Sequence, residues 1–280
     1  HYPLARSALE AGKHVVVEKP FVVHTAEADE LLRLAAERER ILSVYHNRRW
    51  DGDCQTVEQL IESGILGRVA TYESHFDRYR PQVRDRWRER DEPGSGALYD
   101  LGSHLIDKAL HLFGLPETVL ADVGAQRSGA VTDDYFHLLL GYGEELRVIL
   151  HSGALVRQPA FRFAIHGDRG SFLKRGLDPQ EDQLKQGVRP GDPEWGVELE
   201  AQHGELVTEI EGLPVHARIE TLAGSYEAFY EGIGRAILEG VPPPVAALDA
   251  RNTIAVIEDA LQSSREGRVV PFRASPSPLA

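Results

Sequence analysis

The sequence has 280 residues, and its 44 acidic and 31 basic side chains give a formal net charge of −13. This balance disfavours a general nucleic-acid or anionic-membrane partner. No apolar run is long enough to span a membrane and no signal peptide is visible, so we expect a cytoplasmic protein. The single cysteine, Cys54, excludes an intrachain disulfide and a cysteine-rich zinc site, and we expect it to be packed inside a helix.

The first 45 residues predict a helix, a strand, a helix and a strand. A helix ends at Gly12, a β-branched strand covers 14–17, a helix capped by Thr25 reaches about Arg40, and a second strand covers 41–45. The 14–17 run does not alternate with polar residues, which is typical of a parallel strand covered on both faces. We therefore interpret residues 1–48 as the C-terminal part of a doubly wound, Rossmann-type domain.

Residues 49–280 predict a second, α/β domain. After a helix at 53–63 the pattern changes to long strands with short turns, at 68–78, 119–126, 135–142, 146–155 and 161–167. Such a series favours a large, open, mostly antiparallel sheet. The remaining predictions are an irregular, lid-like excursion at 174–215, a helix at 225–238, a last helix at 249–266 capped by Asp249, and a loose tail at 274–280. We expect the last helix to pack back on the Rossmann part.

Charged residues follow the first predicted strand directly. Pro20 cannot donate to a ladder, so that strand ends at Glu18-Lys19-Pro20. Open α/β sheets bind ligands at the carboxyl ends of their strands. Lys19 therefore points either into a crevice there or simply into solvent.

The run from Gly94 to Asp107 is the strongest indication of chemistry. A glycine-rich turn enters a helix predicted at 97–113, on which Asp100 and His104 are four residues apart and share a face. A carboxylate beside an imidazole can transfer a proton. The same polar face continues to Asp107 and His111, and we expect it to meet water, a cleft or a ligand. Two alternatives stay open at this point, a solvated helix face and a divalent-metal site that uses Asp107 or His111 as further ligands.

These motifs in combination resemble the Gfo/Idh/MocA family of NAD(P)-dependent dehydrogenases. The resemblance is carried by Glu18-Lys19-Pro20 together with the Gly-x-Gly-x-Leu-x-Asp-x-Gly-x-His-x-x-Asp spacing at 94–107. The blocks 46–51, 74–78 and 83–88 narrow it to the branch that includes NADP-dependent scyllo-inositol dehydrogenases. The resemblance covers essentially the whole sequence.

The resemblance implies a hydride transfer between a nicotinamide cofactor and a secondary alcohol of a sugar, polyol or inositol. It implies that Lys19 contacts substrate and cofactor, that Asp100 orients the substrate, and that His104 is the acid/base. Further residues implied are Glu18, Arg48 and Trp50 for the cofactor, and Arg86 and Trp87 beside Asp100 for the substrate. It implies that residues 1–48 belong to a dinucleotide-binding domain and that residues 49–280 bind substrate and form oligomers. It also implies NAD or NADP as cofactor, with NADP favoured, a cis Lys19–Pro20 bond, and a homodimer or larger homo-oligomer formed through the open sheet. We expect no metal.

One departure from the family pattern concerns the cofactor phosphates. No Gly-x-Gly-x-x-Gly follows an opening strand in this sequence, so the turn that grips a pyrophosphate is not among these residues. The choice between NAD and NADP is not readable for the same reason. We therefore expect the sequence to belong to a longer enzyme, or a partner to cover the open edge of the sheet.

Two other functions remain as alternatives. One is a non-catalytic module that binds sugar or dimerises without the cofactor half. The other is a metal-dependent hydrolase or lyase that uses Asp100 and His104, although Lys19 beside them would repel a cation.

Overall fold

The computed structural model describes residues 1–273, so the tail predicted at 274–280 lies outside the described residues. The helices are α1 (Tyr2–Glu10), α2 (Thr25–Glu37), α3 (Gly52–Glu62), α4 (Ser103–Phe113), α5 (Gln180–Gln186), α6 (Glu227–Glu239) and α7 (Ala247–Glu266). The strands are β1 (Val15–Val17), β2 (Leu42–Val44), β3 (Val69–His75), β4 (Thr118–Gly124), β5 (Tyr135–Tyr142), β6 (Leu146–Gly153), β7 (Phe163–Gly167), β8 (Gly170–Lys174), β9 (Gly204–Ile210), β10 (Leu213–Ile219) and β11 (Val270–Pro271).

A small parallel sheet of β1 and β2 confirms the α, β, α, β order at the start of the chain. Val17 is buried, but Val16 is 40% exposed, so the prediction that β1 is covered on both faces is wrong. Within residues 1–273, no element covers the face of β1 that carries Val16. The cap of α2 also differs, because the backbone N–H of His24 donates to Glu27 and Thr25 is already the first helical residue.

A nine-stranded sheet forms the body of the protein, in the order β10-β9-β8-β7-β3-β6-β5-β4-β11. Every neighbouring pair is antiparallel except β3 with β6, which confirms the predicted mostly antiparallel sheet. Alternate side chains of the central strands are fully buried on the face that packs against α4 and α7, among them Phe136, Leu138, Leu140, Val148 and Leu150. This period of two places the apolar core between the sheet and the two helices.

The segment 174–215 is more regular than the sequence indicates. It contains α5 and most of a hairpin, β9 and β10, at the edge of the large sheet. Glu211 and Gly212 connect the two strands and both have a positive φ, of 51° and 81°, as a two-residue type I′ turn requires. The prediction of an irregular excursion is wrong for these strands. It rested on the Gly, Pro and charged residues of the whole segment, whereas β9 and β10 themselves carry only Glu205, Glu209 and Arg218 as charged residues.

Helix α7 joins the two sheets. Its Arg251 forms a hydrogen-bonded ion pair with Asp29 of α2, and its Glu258 accepts the hydroxyl of Thr25 at 2.7 Å. Asp249 lies in its first turn rather than at its N-cap, which is Ala246, so the predicted cap is wrong. The Asp249 carboxylate instead lies 3.3 Å from Arg49. No helix within residues 1–273 is long and apolar enough to cross a membrane.

Candidate active site

Three parts of the chain meet around one cavity of about 340 Å³. Glu18 and Lys19 follow β1, Tyr45 to Arg48 follow β2, and Asp100 and His104 come from the entry to α4. The first two groups lie at the carboxyl ends of parallel strands, where open α/β sheets bind ligands. Lys19 therefore lies in a crevice rather than in open solvent. The cavity volume is typical of a small-molecule site.

The entry to α4 is a π-helical turn, Leu98–Gly102, rather than the continuous α-helix predicted for 97–113. The turn is held by Asp133, whose carboxylate accepts the Leu98 N–H at 2.7 Å and whose backbone oxygen accepts the Ala97 N–H at 2.9 Å. Gly96 precedes it with φ of 91°, and a Cβ there would lie 2.0 Å from the Asp133 carboxylate. Only glycine fits this position without a shift of its neighbours. Such turns inside helices are frequent at functional sites.

Lys19 and Asp100 form the central polar contact of the cavity. The Lys19 Nζ donates to the backbone oxygen of Asp100 at 2.7 Å and to its Oδ1 at 3.0 Å. Burial lowers the pKa of Lys19, and the Asp100 charge only partly opposes this. Burial also disfavours ionisation of Asp100, but the charges of Lys19 and Arg88 outweigh it and hold the pKa of Asp100 below its usual value. Asp100 is therefore ionised near neutral pH, and its charge favours the ammonium form of Lys19.

His104 lines the same cavity but is almost completely buried. Burial, followed by the positive charges of Lys19 and Arg48, lowers the pKa of this imidazole well below its ordinary value. Its Nδ1 is buried and has no hydrogen-bond partner among the described residues, so its Nε2 edge is the one available to a ligand. A neutral imidazole at this position can accept a proton.

Farther along the polar face of α4, Asp107 is buried, which corrects the expectation that it meets water, a cleft or a ligand, whereas His111 is exposed as expected. Asp107 is 2% exposed and receives two hydrogen bonds from the Arg49 guanidinium, at 2.9 and 2.7 Å. The fully buried His46 lies behind it, with its Nδ1 3.7 Å from the Asp107 carboxylate. The Arg49 and Asp107 pair therefore joins the segment after β2 to α4.

Not every predicted site residue lies at this cavity. Arg48 and Arg86 line it, whereas Trp50 and Trp87 are not among its lining residues. Trp50 packs edge-on against Phe229 of α6, with ring centroids 5.6 Å apart. Trp87 is 47% exposed and lies beside the guanidinium of Arg88, on a different surface recess. The Lys19–Pro20 bond is cis, as the resemblance implied.

The sequence reasoning missed several residues that line the cavity, namely Tyr45, Asn47, Arg78, Arg80, Arg88 and Glu181. Arg78 and Arg80 extend the chain just past β3, and their i, i+2 spacing was a usable signal for two side chains on one side of an extended segment. Glu181 comes from α5, a helix that the sequence reasoning did not predict, and its carboxylate lies 2.5 Å from Arg48.

A separate group of possible metal ligands lies at the end of β3 and β6. Donor atoms of His75, Asp77 and His151 are all within 4.8 Å of one another. None of the three is among the residues that line the cavity. Asp100 is paired with Lys19, and Asp100 and His104 have no third ligand among the described residues, so the metal-dependent alternative gains no support at the cavity.

Comparison with protein families identifies both parts of the chain. Residues 58–272 match the C-terminal alpha/beta domain of an oxidoreductase family, and residues 1–46 match its NAD-binding Rossmann fold. The chain belongs to the Gfo/Idh/MocA oxidoreductase family. As a Gfo/Idh/MocA protein it is an NAD(P)-binding oxidoreductase, a dehydrogenase that acts on a small molecule, which confirms the resemblance and the fold class.

Similar Gfo/Idh/MocA proteins extend the comparison. The oxidoreductase YdgJ of Escherichia coli is 47% identical over 95% of this chain and 76% of its own length. The scyllo-inositol 2-dehydrogenase (NADP(+)) IolW of Bacillus subtilis is 46% identical over 96% of this chain and 75% of its own length. Among solved structures, the oxidoreductase yvaA of Bacillus subtilis has a TM-score of 0.93 and 44% identity, over 98% of this chain and 78% of that one.

Proposed function

We propose that this protein oxidises a secondary hydroxyl of a sugar, polyol or inositol, with His104 as acid/base and with Lys19 and Asp100 as substrate-positioning groups. The observation that carries the proposal is the convergence of these three side chains on one cavity at the carboxyl ends of β1 and β2. The relative IolW, named as a scyllo-inositol 2-dehydrogenase, supports the substrate class. The bound nicotinamide supplies the hydride acceptor or donor in this chemistry.

The cavity residues fit a nicotinamide at the strand ends. Glu18, Lys19 and Arg48 would hold that end of the cofactor, since they lie where β1 and β2 stop. Trp50 is left out of the proposed site because it packs against α6. We propose NADP rather than NAD, supported only by the NADP(+) in the name of IolW.

The protein's own part in the reaction is proton transfer and positioning. In the oxidising direction the neutral His104 accepts the hydroxyl proton at Nε2, and in the reducing direction it returns that proton. Lys19 donates hydrogen bonds to the reacting oxygen and stabilises negative charge that develops there. Asp100 holds the Lys19 ammonium in place and accepts hydrogen bonds from substrate hydroxyls.

A panel of inositols and aldoses, assayed with NAD and with NADP, tests the proposal. We expect reduced nicotinamide to appear at 340 nm with at least one of them, faster with NADP, and expect this rate to be lost in His104→Gln. Oxidation that survives in His104→Gln at the wild-type rate contradicts the role of His104. A folded protein that binds sugar but oxidises nothing in the panel would favour the non-catalytic alternative.

We also propose that the protein forms a homodimer through the open face of the large sheet. Leu120, Leu139 and Ile149 lie side by side in register on β4, β5 and β6, on the face away from α4 and α7. Leu120 is 36% exposed, so this apolar row gains from being covered. Light scattering after size-exclusion chromatography should give twice the chain mass, and Ile149→Glu should return the monomer. A monomer in the unmodified protein contradicts this.

A further inference from the structure

We propose that the substrate carries an acid group, a carboxylate or a phosphate, besides the hydroxyl that is oxidised, and that Arg78 and Arg80 bind it. We call these two residues the arginine pair. The inference rests on the proposed dehydrogenase function and narrows its substrate class.

The first observation is the charge of the cavity. Its lining contains three carboxylates, Glu18, Asp100 and Glu181, and six cations, Lys19, Arg48, Arg78, Arg80, Arg86 and Arg88. The chain as a whole has a net charge of −13, so positive charge is concentrated here against the overall balance. A cationic cleft raises the local concentration of anionic ligands.

The second observation is that four of these cations already have partners. Lys19 and Arg88 lie 3.0 and 3.3 Å from Asp100, Arg86 lies 2.6 Å from Glu89, and Arg48 lies 3.2 Å from Asp51 and 2.5 Å from Glu181. The arginine pair differs, because neither member forms an ion pair or a side-chain hydrogen bond with any residue from 1 to 273. Two free guanidinium groups therefore remain in the cavity wall.

The third observation is how firmly the arginine pair is placed. The backbone N–H groups of Arg78 and Arg80 donate to Gly153 and Ala154 at 3.0 and 2.7 Å, which ties the segment to the end of β6. The Arg78 guanidinium stacks on Phe76, 4.9 Å from the ring centroid. Tyr79, between the two arginines, is 44% exposed and forms a bridge with Leu155, as expected where an extended segment alternates its sides.

The carboxylates around the arginine pair are engaged with other groups. A recess of about 50 Å³ continues from the cavity beside both residues and adds Glu89, Arg127, Asp133 and Asp134 to the wall. Glu89 accepts Arg86 and Arg127, Asp134 accepts Arg127 at 2.8 Å, and Asp133 accepts the Leu98 N–H. Burial, and then the charge of Arg80, lower the pKa of Arg78 to about 10. Arg78 is a partly buried cation with no directly bonded counter-ion among residues 1–273, and an oxyanion held by its planar guanidinium donors would offset the cost of that burial.

The direct test compares substrates that share one sugar ring and differ in charge. We would compare kcat/KM for D-glucose with that for D-glucuronate and D-glucose 6-phosphate, using whichever of NAD and NADP is turned over. Hydrogen bonds to a charged group predict a preference of ~10-fold or more for one of the acids, which also distinguishes carboxylate from phosphate. Arg78→Gln and Arg80→Gln should each raise KM for that acid by ~10-fold and change KM for glucose by less than ~3-fold.

The controls separate charge from folding. Arg78→Lys keeps the positive charge and should retain part of the preference, whereas Arg235→Gln makes the same charge change on an exposed site of α6 and should change nothing. Inorganic sulfate should compete with the acid substrate and bind the unmodified protein in calorimetry, with the heat lost in Arg78→Gln. The unfolding midpoint of each variant shows whether the fold is intact.

The outcomes distinguish this inference from the proposed function. The acid-group inference is overturned if neutral polyols are oxidised as well as acids. It is also overturned if the glutamine variants raise KM for the cofactor and for both kinds of substrate alike. In either case the dehydrogenase function stands. If no compound is oxidised, the dehydrogenase proposal fails, and sulfate binding decides about the arginine pair. Absent binding, or binding equal in the unmodified protein and Arg78→Gln, then overturns the inference.

Discussion

The Lys19 ammonium donates two hydrogen bonds to Asp100, at 2.7 Å to its backbone oxygen and at 3.0 Å to its carboxylate. The two residues are 81 positions apart, and the contact joins the end of β1 to the π-helical turn before α4. The carboxylate stays ionised because Lys19 and Arg88 together outweigh its burial. One polar contact therefore both positions the two groups and sets the charge of Asp100.

Replacing Lys19 should remove one of the two charges that keep Asp100 ionised. In Lys19→Met we expect kcat/KM for alcohol oxidation to fall ~10²–10³-fold, as for other lost charge-stabilising donors. The pKa of Asp100 and that of His104 should both rise, because the Lys19 charge lowers both, and the acidic limb of the pH–rate profile should therefore move to higher pH. Lys185→Met is the matched control, since that lysine is exposed on α5. Wild-type kinetics in Lys19→Met would remove Lys19 from the site.

The pH profile of oxidation should report His104. Burial and neighbouring cations lower the pKa of this imidazole well below 6.5, so the base form is present throughout the neutral range. We expect kcat/KM to be flat at neutral and alkaline pH and to fall only as pH drops through that lowered pKa. His104→Gln should reduce kcat by ~10²–10⁴ and abolish this limb. His111→Gln, on the same helix beside Glu58, should leave the profile unchanged, and a limb that persists in His104→Gln would assign it to another group.

Stability should also depend on pH through the buried histidines. Burial lowers the pKa of His46 and of His104 in the folded protein, so below about pH 6.5 the unfolded chain binds more protons than the folded one. Their stabilising contribution is complete above that value and is lost as pH falls toward the folded pKa. His75 acts in the opposite sense, because its two carboxylate partners overcome burial and raise its pKa.

Urea unfolding across about pH 5 to 8 can isolate one of these histidines. The free energy of unfolding should fall more steeply with acid in the unmodified protein than in His46→Gln, since the variant has one fewer buried group to protonate. Subtracting the two curves cancels the opposing contribution of His75. Parallel curves over the whole range would show that His46 titrates normally in the folded protein.

Gly96 should be required for the shape of the π-helical turn. In Gly96→Ala the residue would have to keep φ near 91° and place a Cβ 2.0 Å from the carboxylate of Asp133, the group that holds Leu98. We expect a loss of about 2 kcal/mol or more in the free energy of unfolding, together with reduced activity. Gly129→Ala has a φ of 78° with nothing within 4 Å of the new Cβ, so it measures the backbone strain alone. Equal losses of unfolding free energy in the two variants would mean that the Asp133 carboxylate moves aside without cost.

The sequence by itself determined the class of fold and pointed to three residues that line the cavity, Lys19, Asp100 and His104. Lys19 could be placed because a proline that cannot pair ends a β-branched strand, and Asp100 and His104 because a glycine turn enters an amphipathic helix. These are local features, readable from a few neighbouring residues. Strands β1 to β7 followed from the same local periodicity, whereas β8, β9 and β10 were not predicted.

Only the tertiary structure decided which polar side chains reach the cavity. Asp107 follows Asp100 on one helix, but it is buried against Arg49, which lies 58 residues earlier, so the shared helical face has two different environments. Trp50 packs against α6 instead of lining the cavity. Arg78 and Arg80 do line it, because hydrogen bonds to the end of β6 fix the direction of the segment after β3. Charge pairing between segments far apart in the chain leaves no pattern in either segment alone. It appears only when folding brings the two partners within hydrogen-bond distance.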